Sequence, residues 1–226
     1  MSIVFIVSAP SGSGKSTLVN ELFKMVQGLD FSVSYTTRPP RGSEKNGKEY
    51  CFVPEAKFEA MIGADEFLEY ARVFGNYYGT SRQFLRESQR RGHDLLLDID
   101  VQGAAQVKEK IPDAVSIFIL PPDRDKLEWR LRNRGLDLEV VVRRRLDTAR
   151  REIENYTKYD YILVNNLLEK SADELKAIVL AERIWRSGTK PTAEQLQLLE
   201  TARSCRLDQA RERVQPILAS FGNAGP

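Results

Sequence analysis

The sequence predicts an α/β fold built on a parallel sheet. Two observations carry this expectation. Short, continuously apolar runs alternate along the chain with longer segments of helical period, as expected of buried strands joined by crossover helices. The first apolar run then passes directly into a glycine- and serine-rich loop and a helix, the local order of a phosphate-binding turn. With 226 residues, the chain is long enough for one good-sized domain carrying smaller lobes.

Residues 3–8 read as the first buried strand and Lys15–Met25 as the helix after it. Residues 31–80 break the pattern. Pro39-Pro40, Gly42, Gly47 and short alternating runs such as Tyr50-Cys51-Phe52-Val53 mark a small β-rich insertion between two core strands. Core strands resume at Asp94–Asp98, at Val115–Leu120 (closed by Pro121-Pro122) and at Tyr161–Val164. Helices are expected at 102–110, 123–134, 138–155 and 171–186. In the third, Leu138, Val142, Leu146, Ala149 and Ile153 recur at spacings of three and four, the amphipathic signature. After a break at 188–191, residues 192–218 carry an apolar stripe from Leu196 to Ile217. This is one or two helices that either pack on the core or mediate self-association.

Composition removes several functional classes. Lys plus Arg is 34 against 32 for Asp plus Glu, a net charge of +2, which argues against a dedicated nucleic-acid binder. His93 is the only histidine, so His-rich metal sites are excluded and a Ser-His-Asp mechanism would rest on one residue. Cys51 and Cys205 cannot build a four-cysteine zinc site or a disulfide framework. Free thiols read as cytoplasmic. No apolar run approaches the roughly 18 residues of a membrane span, and Ile3–Val7 lacks the length and basic flank of a signal peptide. No membrane partner is expected.

The strongest local signal is Ser8-Ala9-Pro10-Ser11-Gly12-Ser13-Gly14-Lys15-Ser16-Thr17 between strand and helix. Glycines let the backbone curl so that its N–H groups form an anion nest, and the helix N-terminus adds partial positive charge. Lys15 is placed to reach β- and γ-phosphates, and the Ser16 hydroxyl to bind Mg²⁺. Ala9 stands where the strict pattern has glycine. The pattern identifies a nucleoside triphosphate site and leaves the reaction open.

A second cluster holds Arg38 and Arg41, three apart and stiffened by Pro39-Pro40. Two guanidinium forks at that spacing can hold one phosphate, with hydroxyl donors from Tyr50 and Tyr77-Tyr78; a solvated basic loop with core aromatics fits the charge spacing equally. Glu69, in Phe67-Leu68-Glu69-Tyr70, reads from periodicity alone as a binding carboxylate or a solvent-facing strand residue. Asp98 and Asp100 close a core strand, where carboxylates lie near the ligand crevice. They can ligate Mg²⁺ through water or contact a base amino group, and Asp100 can equally cap the next helix. Between Arg130 and Arg151 there are eight arginines and three acids. That local excess reads as a solvated face or a nucleic-acid patch.

Together, five motifs resemble guanylate kinase. They are the phosphate loop, Ser34-x-Thr36-Thr37-Arg38-x-Pro40-Arg41-x-x-Glu44, Asn46-Gly47-x-x-Tyr50, Gly75-Asn76-Tyr77-Tyr78-Gly79-Thr80 and Leu97-Asp98-Ile99-Asp100-x-Gln102-Gly103. The likeness runs from about residue 3 to about residue 186. It implies a P-loop NTPase with a parallel sheet core, a small β-rich GMP-binding lobe at about 34–80 and a helical arginine lid at about 130–150. Residues 1–190 would form the kinase domain and 191–226 a helical extension.

The resemblance implies an activity, ATP plus GMP to ADP plus GDP with Mg²⁺, and a set of roles. Ala9, Pro10, Ser11, Gly12, Ser13, Gly14, Lys15, Ser16 and Thr17 would hold ATP, with Asn165 against adenine. Arg38, Arg41, Tyr50 and Tyr78 would hold the GMP phosphate. Ser34, Glu69 and Thr80 would read guanine, with Asp98 and Asp100 nearby. Lys15, Arg41, Arg134 and Arg145 would act on the transferring phosphoryl group, with Arg130 supporting the lid. The Asn165-Asn166 pair departs from the family's more usual Asn-Asp.

Two rival readings are a P-loop kinase for another phosphorylated acceptor, which has no need of Ser34, Glu69 and Thr80 together, and a non-catalytic guanylate-kinase-like scaffold, which usually loses the loop and lid residues that are intact here.

Overall fold

A computed structural model describes residues 2–73, 75–133 and 139–222. Arg134, which the resemblance puts on the lid, lies outside the described residues, as do Gly135 and Leu138. The first strand, β1 (Val4–Ser8), is buried along its whole length. With β2 (Leu29–Phe31), β7 (Asp94–Asp98), β8 (Val115–Leu120) and β9 (Tyr161–Val164) it forms a sheet in the order β2-β7-β1-β8-β9. The β2–β7 and β8–β9 pairs are parallel, with Leu29 opposite Asp94 and Ile117 opposite Tyr161. Strands covered on both faces need no polar alternation, which is why β8 is buried at every residue.

A second sheet, β4-β3-β6-β5, is built from β3 (Tyr35–Thr36), β4 (Cys51–Phe52), β5 (Phe67–Val73) and β6 (Asn76–Ser81). Its hydrophobic floor is supplied by α2 (Glu55–Gly63). Phe58 of that helix is fully buried and stacks on Phe67 at 4.4 Å and Tyr77 at 5.1 Å between ring centroids. The β-rich expectation for 31–80 therefore needs a helix added to it. The apolar pattern of the sequence marks neither β2 nor α3 (Arg82–Arg91). The α3 sequence is almost wholly polar and buries only Ser88, so it presents no apolar stripe to detect.

The chain divides into two compact units. Residues 1–6 and 28–115 form one, with the second sheet, α3 and α4 (Val101–Lys110). Residues 7–27 and 116–226 form the other. That unit contains the glycine-rich loop, α1 (Lys15–Met25), α5 (Arg124–Asn133), α6 (Glu139–Ile153) and α7 (Leu168–Ser187). A 3₁₀ turn at Glu154–Lys158 takes over where the sequence suggested continued α-helix. The segment after 190 forms two helices, α8 (Ala193–Ser204) and α9 (Leu207–Gly222). Thr192 and Gln195 start α8 with a reciprocal capping box. Ala210, Val214, Ile217 and Phe221 bury the apolar face of α9. No helix among the described residues is long and apolar enough to cross a membrane.

Candidate active site

In the unit that holds the glycine-rich loop, β1 ends at Ser8 and α1 begins at Lys15, so the loop spans the turn between them. Gly14 caps the helix with φ of 88°, a conformation that costs a side-chain-bearing residue about 1–2 kcal/mol. A Cβ at Gly14 would also collide with the Asn165 amide. Proximity to that amide is structural. Asn165 Nδ2 donates to the Ser13 carbonyl at 2.7 Å, and Arg130 Nη1 donates to the same oxygen at 3.2 Å. Arg130 Nη2 reaches the Asn165 carbonyl at 2.9 Å. One loop carbonyl is thus held by donors from α5 and from the end of β9.

Ser8 Oγ and Ser13 Oγ are buried and have no hydrogen-bond partner among the described residues. An unpaired buried hydroxyl is costly, and polar groups left this way mark a place where a ligand or water completes the set. Ala9, Gly14 and Lys15 are half-buried, Pro10 and Gly12 are buried, and Ser11, Ser16 and Thr17 are exposed. The Ser16 hydroxyl, in the first turn of α1, is therefore open to a hard cation. Burial pushes the Arg130 pKa down from its ordinary value, though a guanidinium keeps its charge. Arg145 is half-buried on α6, whose inner stripe is Val142, Leu146, Ala149 and Ile153.

The residues expected on the acceptor side lie in the other unit and form two groups. In the first, Arg38 is 6% exposed and makes a two-pronged ion pair with Glu44, at 2.9 and 3.0 Å. Glu44 also accepts the Arg41 backbone N–H at 2.7 Å, and so ties both arginines into one loop. The Glu44 hydrogen bond raises the Arg38 pKa, with Tyr78 adding to the effect. The Arg38 guanidinium sits over the Tyr50 ring at 5.3 Å, and Tyr50 meets Tyr78 edge-on at 5.8 Å. Arg41 itself is exposed. Arg38, Tyr50 and Tyr78 are thus brought together. Glu44, for which no role is expected from the sequence, anchors Arg38 and the Arg41 backbone. Its signal was an acid within the same short, proline-stiffened loop.

The second group surrounds Glu69, which is 4% exposed, so the solvent-facing alternative is removed. Thr80 Oγ1, directly across the β5–β6 ladder, donates to Glu69 Oε1 at 2.6 Å. Burial raises the Glu69 pKa to about 7, the Thr80 hydrogen bond opposes the rise, and the Asp100 charge adds to it. Asp100 caps α4, its Oδ1 accepting the N–H groups of Gln102 at 3.0 Å and Gly103 at 2.9 Å. Helix α4 covers the free edge of β5. Gln106 pairs with both backbone groups of Tyr70, and Lys110 Nζ donates to the Leu68 carbonyl at 2.6 Å.

Gly103 gives Glu69 its space, since a Cβ there would stand 2.6 Å from Glu69 Oε2. Ser34 is half-buried just before β3, and its carbonyl accepts the Cys51 N–H. Asp98 is half-buried at the end of β7. The lone histidine is engaged elsewhere, 3.1 Å from Asp30, which also pairs with Arg91.

The chain matches the family model described as guanylate kinase over residues 1–182. A guanylate kinase of Koribacter versatilis is 59% identical over 98% of this chain and 96% of its own length. One from Neisseria gonorrhoeae is 52% identical, covering 81% of this chain and 90% of its own. A crystal structure of guanylate kinase from Anaplasma phagocytophilum superposes with a TM-score of 0.68 at 36% identity, over 81% of this chain and 87% of that one.

Proposed function

The chain belongs to the guanylate kinase family and transfers a phosphoryl group from ATP to GMP, and on that premise we propose how its residues divide the work. The glycine-rich loop, from Ala9 to Thr17, takes the ATP phosphates, with Lys15 on the β- and γ-phosphates and Asn165 beside adenine. The fixed Ser13 carbonyl supports this, because a loop anchored before substrate arrives need not be ordered on binding. Ser16 would hold Mg²⁺ together with the nucleotide phosphates, an arrangement that suits an ion needing only one or two protein oxygens. When bound, the ion offsets the negative charge shared by the β- and γ-phosphates.

GMP is read at two places. Arg38, Arg41, Tyr50 and Tyr78 take its phosphate. The Glu44 ion pair holds Arg38 rigid, and Arg41 stays open to the solvent side. Glu69, Thr80 and Ser34 take guanine, with Asp98 and Asp100 beside them. Guanine offers N1–H and N2–H₂ as donors along one edge, and an ionised carboxylate is acceptor-only. Adenine reverses that pattern and leaves Glu69 buried and unpaired, a penalty that sites of this kind convert into specificity.

Phosphoryl transfer asks little covalent work of the protein. Lys15, Arg41, Arg134 and Arg145 act by positioning and by stabilising the charge that spreads over the transferring group. Residues of the 130–150 lid exclude water when both nucleotides are present, which suppresses ATP hydrolysis. Residues 191–226 form an extension of the kinase domain, and the two free cysteines fit a cytoplasmic setting.

The observation that carries the reading is the buried Glu69–Thr80 pair, a carboxylate whose burial is costly and is offset further by donors beyond Thr80. Glu69→Gln tests it. The GMP-over-AMP preference should narrow by about tenfold or more, because Gln presents a donor where guanine also donates. An unchanged preference would remove the role.

A further inference from the structure

The segment after residue 190 has no role in the chemistry above, yet it grips both elements that serve the Ser13 carbonyl. Its first hold is on β9, the outermost strand of its sheet. The α8–α9 connection pairs with β9 in antiparallel fashion, Tyr161 opposite Arg206. Ile162 N–H donates to the Cys205 carbonyl at 2.7 Å and Leu207 N–H to the Asp160 carbonyl at 3.1 Å. The pairing is locked from the side. The Arg206 guanidinium lies 5.3 Å from both the Tyr161 and Trp185 rings, and buried Glu182 accepts the Tyr161 hydroxyl at 2.6 Å. Three residues beyond Ile162, the chain delivers Asn165 to Ser13.

The second hold is on α5. The Arg124 N–H, in the first turn of α5, donates to Ser220 Oγ at 3.1 Å. The Ser220 hydroxyl proton is committed to the Ile217 carbonyl at 2.6 Å, which leaves an oxygen lone pair for Arg124. Asp123 caps the same helix from its own side by accepting the Lys126 N–H at 2.6 Å. Arg124 to Arg130 spans about 9 Å of rigid helix at the usual rise per residue. A shift at the start of α5 is therefore carried to the guanidinium on the loop.

We propose that Ser220 is a positioning residue for the ATP half of the reaction: by fixing the first turn of α5 it sets Arg130 on the Ser13 carbonyl. The inference rests on the reading of the glycine-rich loop as the ATP site. The plain alternative is that α9 only covers apolar surface with Ala210, Val214, Ile217 and Phe221. Ser220 separates the two, because its hydroxyl adds nothing to apolar burial.

The test uses the full chain with Ser220→Ala, Ser220→Thr and Arg130→Ala, each measured for KM of ATP, KM of GMP and urea midpoint. Ser220→Ala should raise the ATP KM by up to about fivefold, the typical worth of a helix-capping bond, and leave the GMP KM unchanged. Ser220→Thr should restore the ATP KM. In the Arg130→Ala background, Ser220→Ala should change the ATP KM by less than about twofold, since the route from 220 to the loop is already cut. An unchanged ATP KM, an equal rise in both KM values, or a full multiplicative effect on top of Arg130→Ala would overturn the proposal. Failure of the underlying reading shows separately, as a Lys15→Ala variant whose ATP KM matches the unsubstituted protein.

Discussion

On the proposed role of Glu69 in reading guanine, GMP use depends on pH. The Glu69 carboxyl has a pKa of about 7 in the ligand-free protein, raised chiefly by burial. The groups facing it are Thr80 on β6, which lowers the pKa, Asp100 at the start of α4, which raises it, and Lys110 at the end of α4, which lowers it. In the proposed site, guanine's N1–H and N2–H₂ donors need the ionised form as acceptor. At pH 6 only about a tenth of the carboxyl is ionised, and below that the fraction falls about tenfold per pH unit. kcat/KM for GMP, measured by coupled ADP release at saturating ATP and subsaturating GMP, should therefore rise with slope one up to about pH 7 and then level.

At saturating GMP, kcat should hold to lower pH, because guanine's donors stabilise the carboxylate once bound. Glu69→Gln should give a flat profile whose plateau is roughly tenfold lower, the worth of a charge-assisted bond over a neutral one. A limb that stays near pH 4–5, or one that survives in Glu69→Gln, refutes the reasoning.

Other substitutions follow from the same geometry. A raised carboxyl pKa costs the fold stability once the group ionises, so the cost is absent below about pH 4.5 and complete above about pH 7. Glu69→Gln should accordingly raise the urea midpoint of the ligand-free protein at pH 8 and leave it nearly unchanged at pH 4.5. Gly103→Ala should push the Glu69 carboxylate out of its place and lower kcat/KM for GMP by about tenfold, with the ATP KM unaffected; equal effects on both nucleotides would contradict the contact. Lys15→Ala should reduce kcat by about a thousandfold or more, with circular dichroism unchanged, and near-normal turnover would remove the loop from the mechanism.

Several of these features were legible in the sequence and several were not. The boundaries of β7, β8 and β9 follow directly from their apolar runs, because a strand covered on both faces is a block of hydrophobic residues between polar turns. The glycine-rich loop was legible because its geometry needs glycine at fixed spacing. Burial of Glu69 was not, since a register shift between Phe67 and Glu69 interrupts the alternation of β5 and places 67, 68 and 69 all inside. Arg130 was expected to support the lid arginines; that its guanidinium also holds the loop was not legible. That role depends on residues 13, 130 and 165 meeting in space, which no local pattern encodes. The Glu44 anchor was missed for a related reason, because an acid in a polar loop has many exposed uses and only burial of Arg38 selects this one.

The central claim, that a buried carboxylate selects the guanine nucleotide whose phosphate accepts the phosphoryl group, is met most directly by ADP release from ATP with GMP, AMP, CMP and UMP supplied in turn at equal concentration. Turnover with GMP at least about a hundredfold above each of the others is the expected result for a site whose buried acceptor finds two adjacent donors, N1–H and N2–H₂, on guanine alone. Comparable turnover with AMP would contradict it.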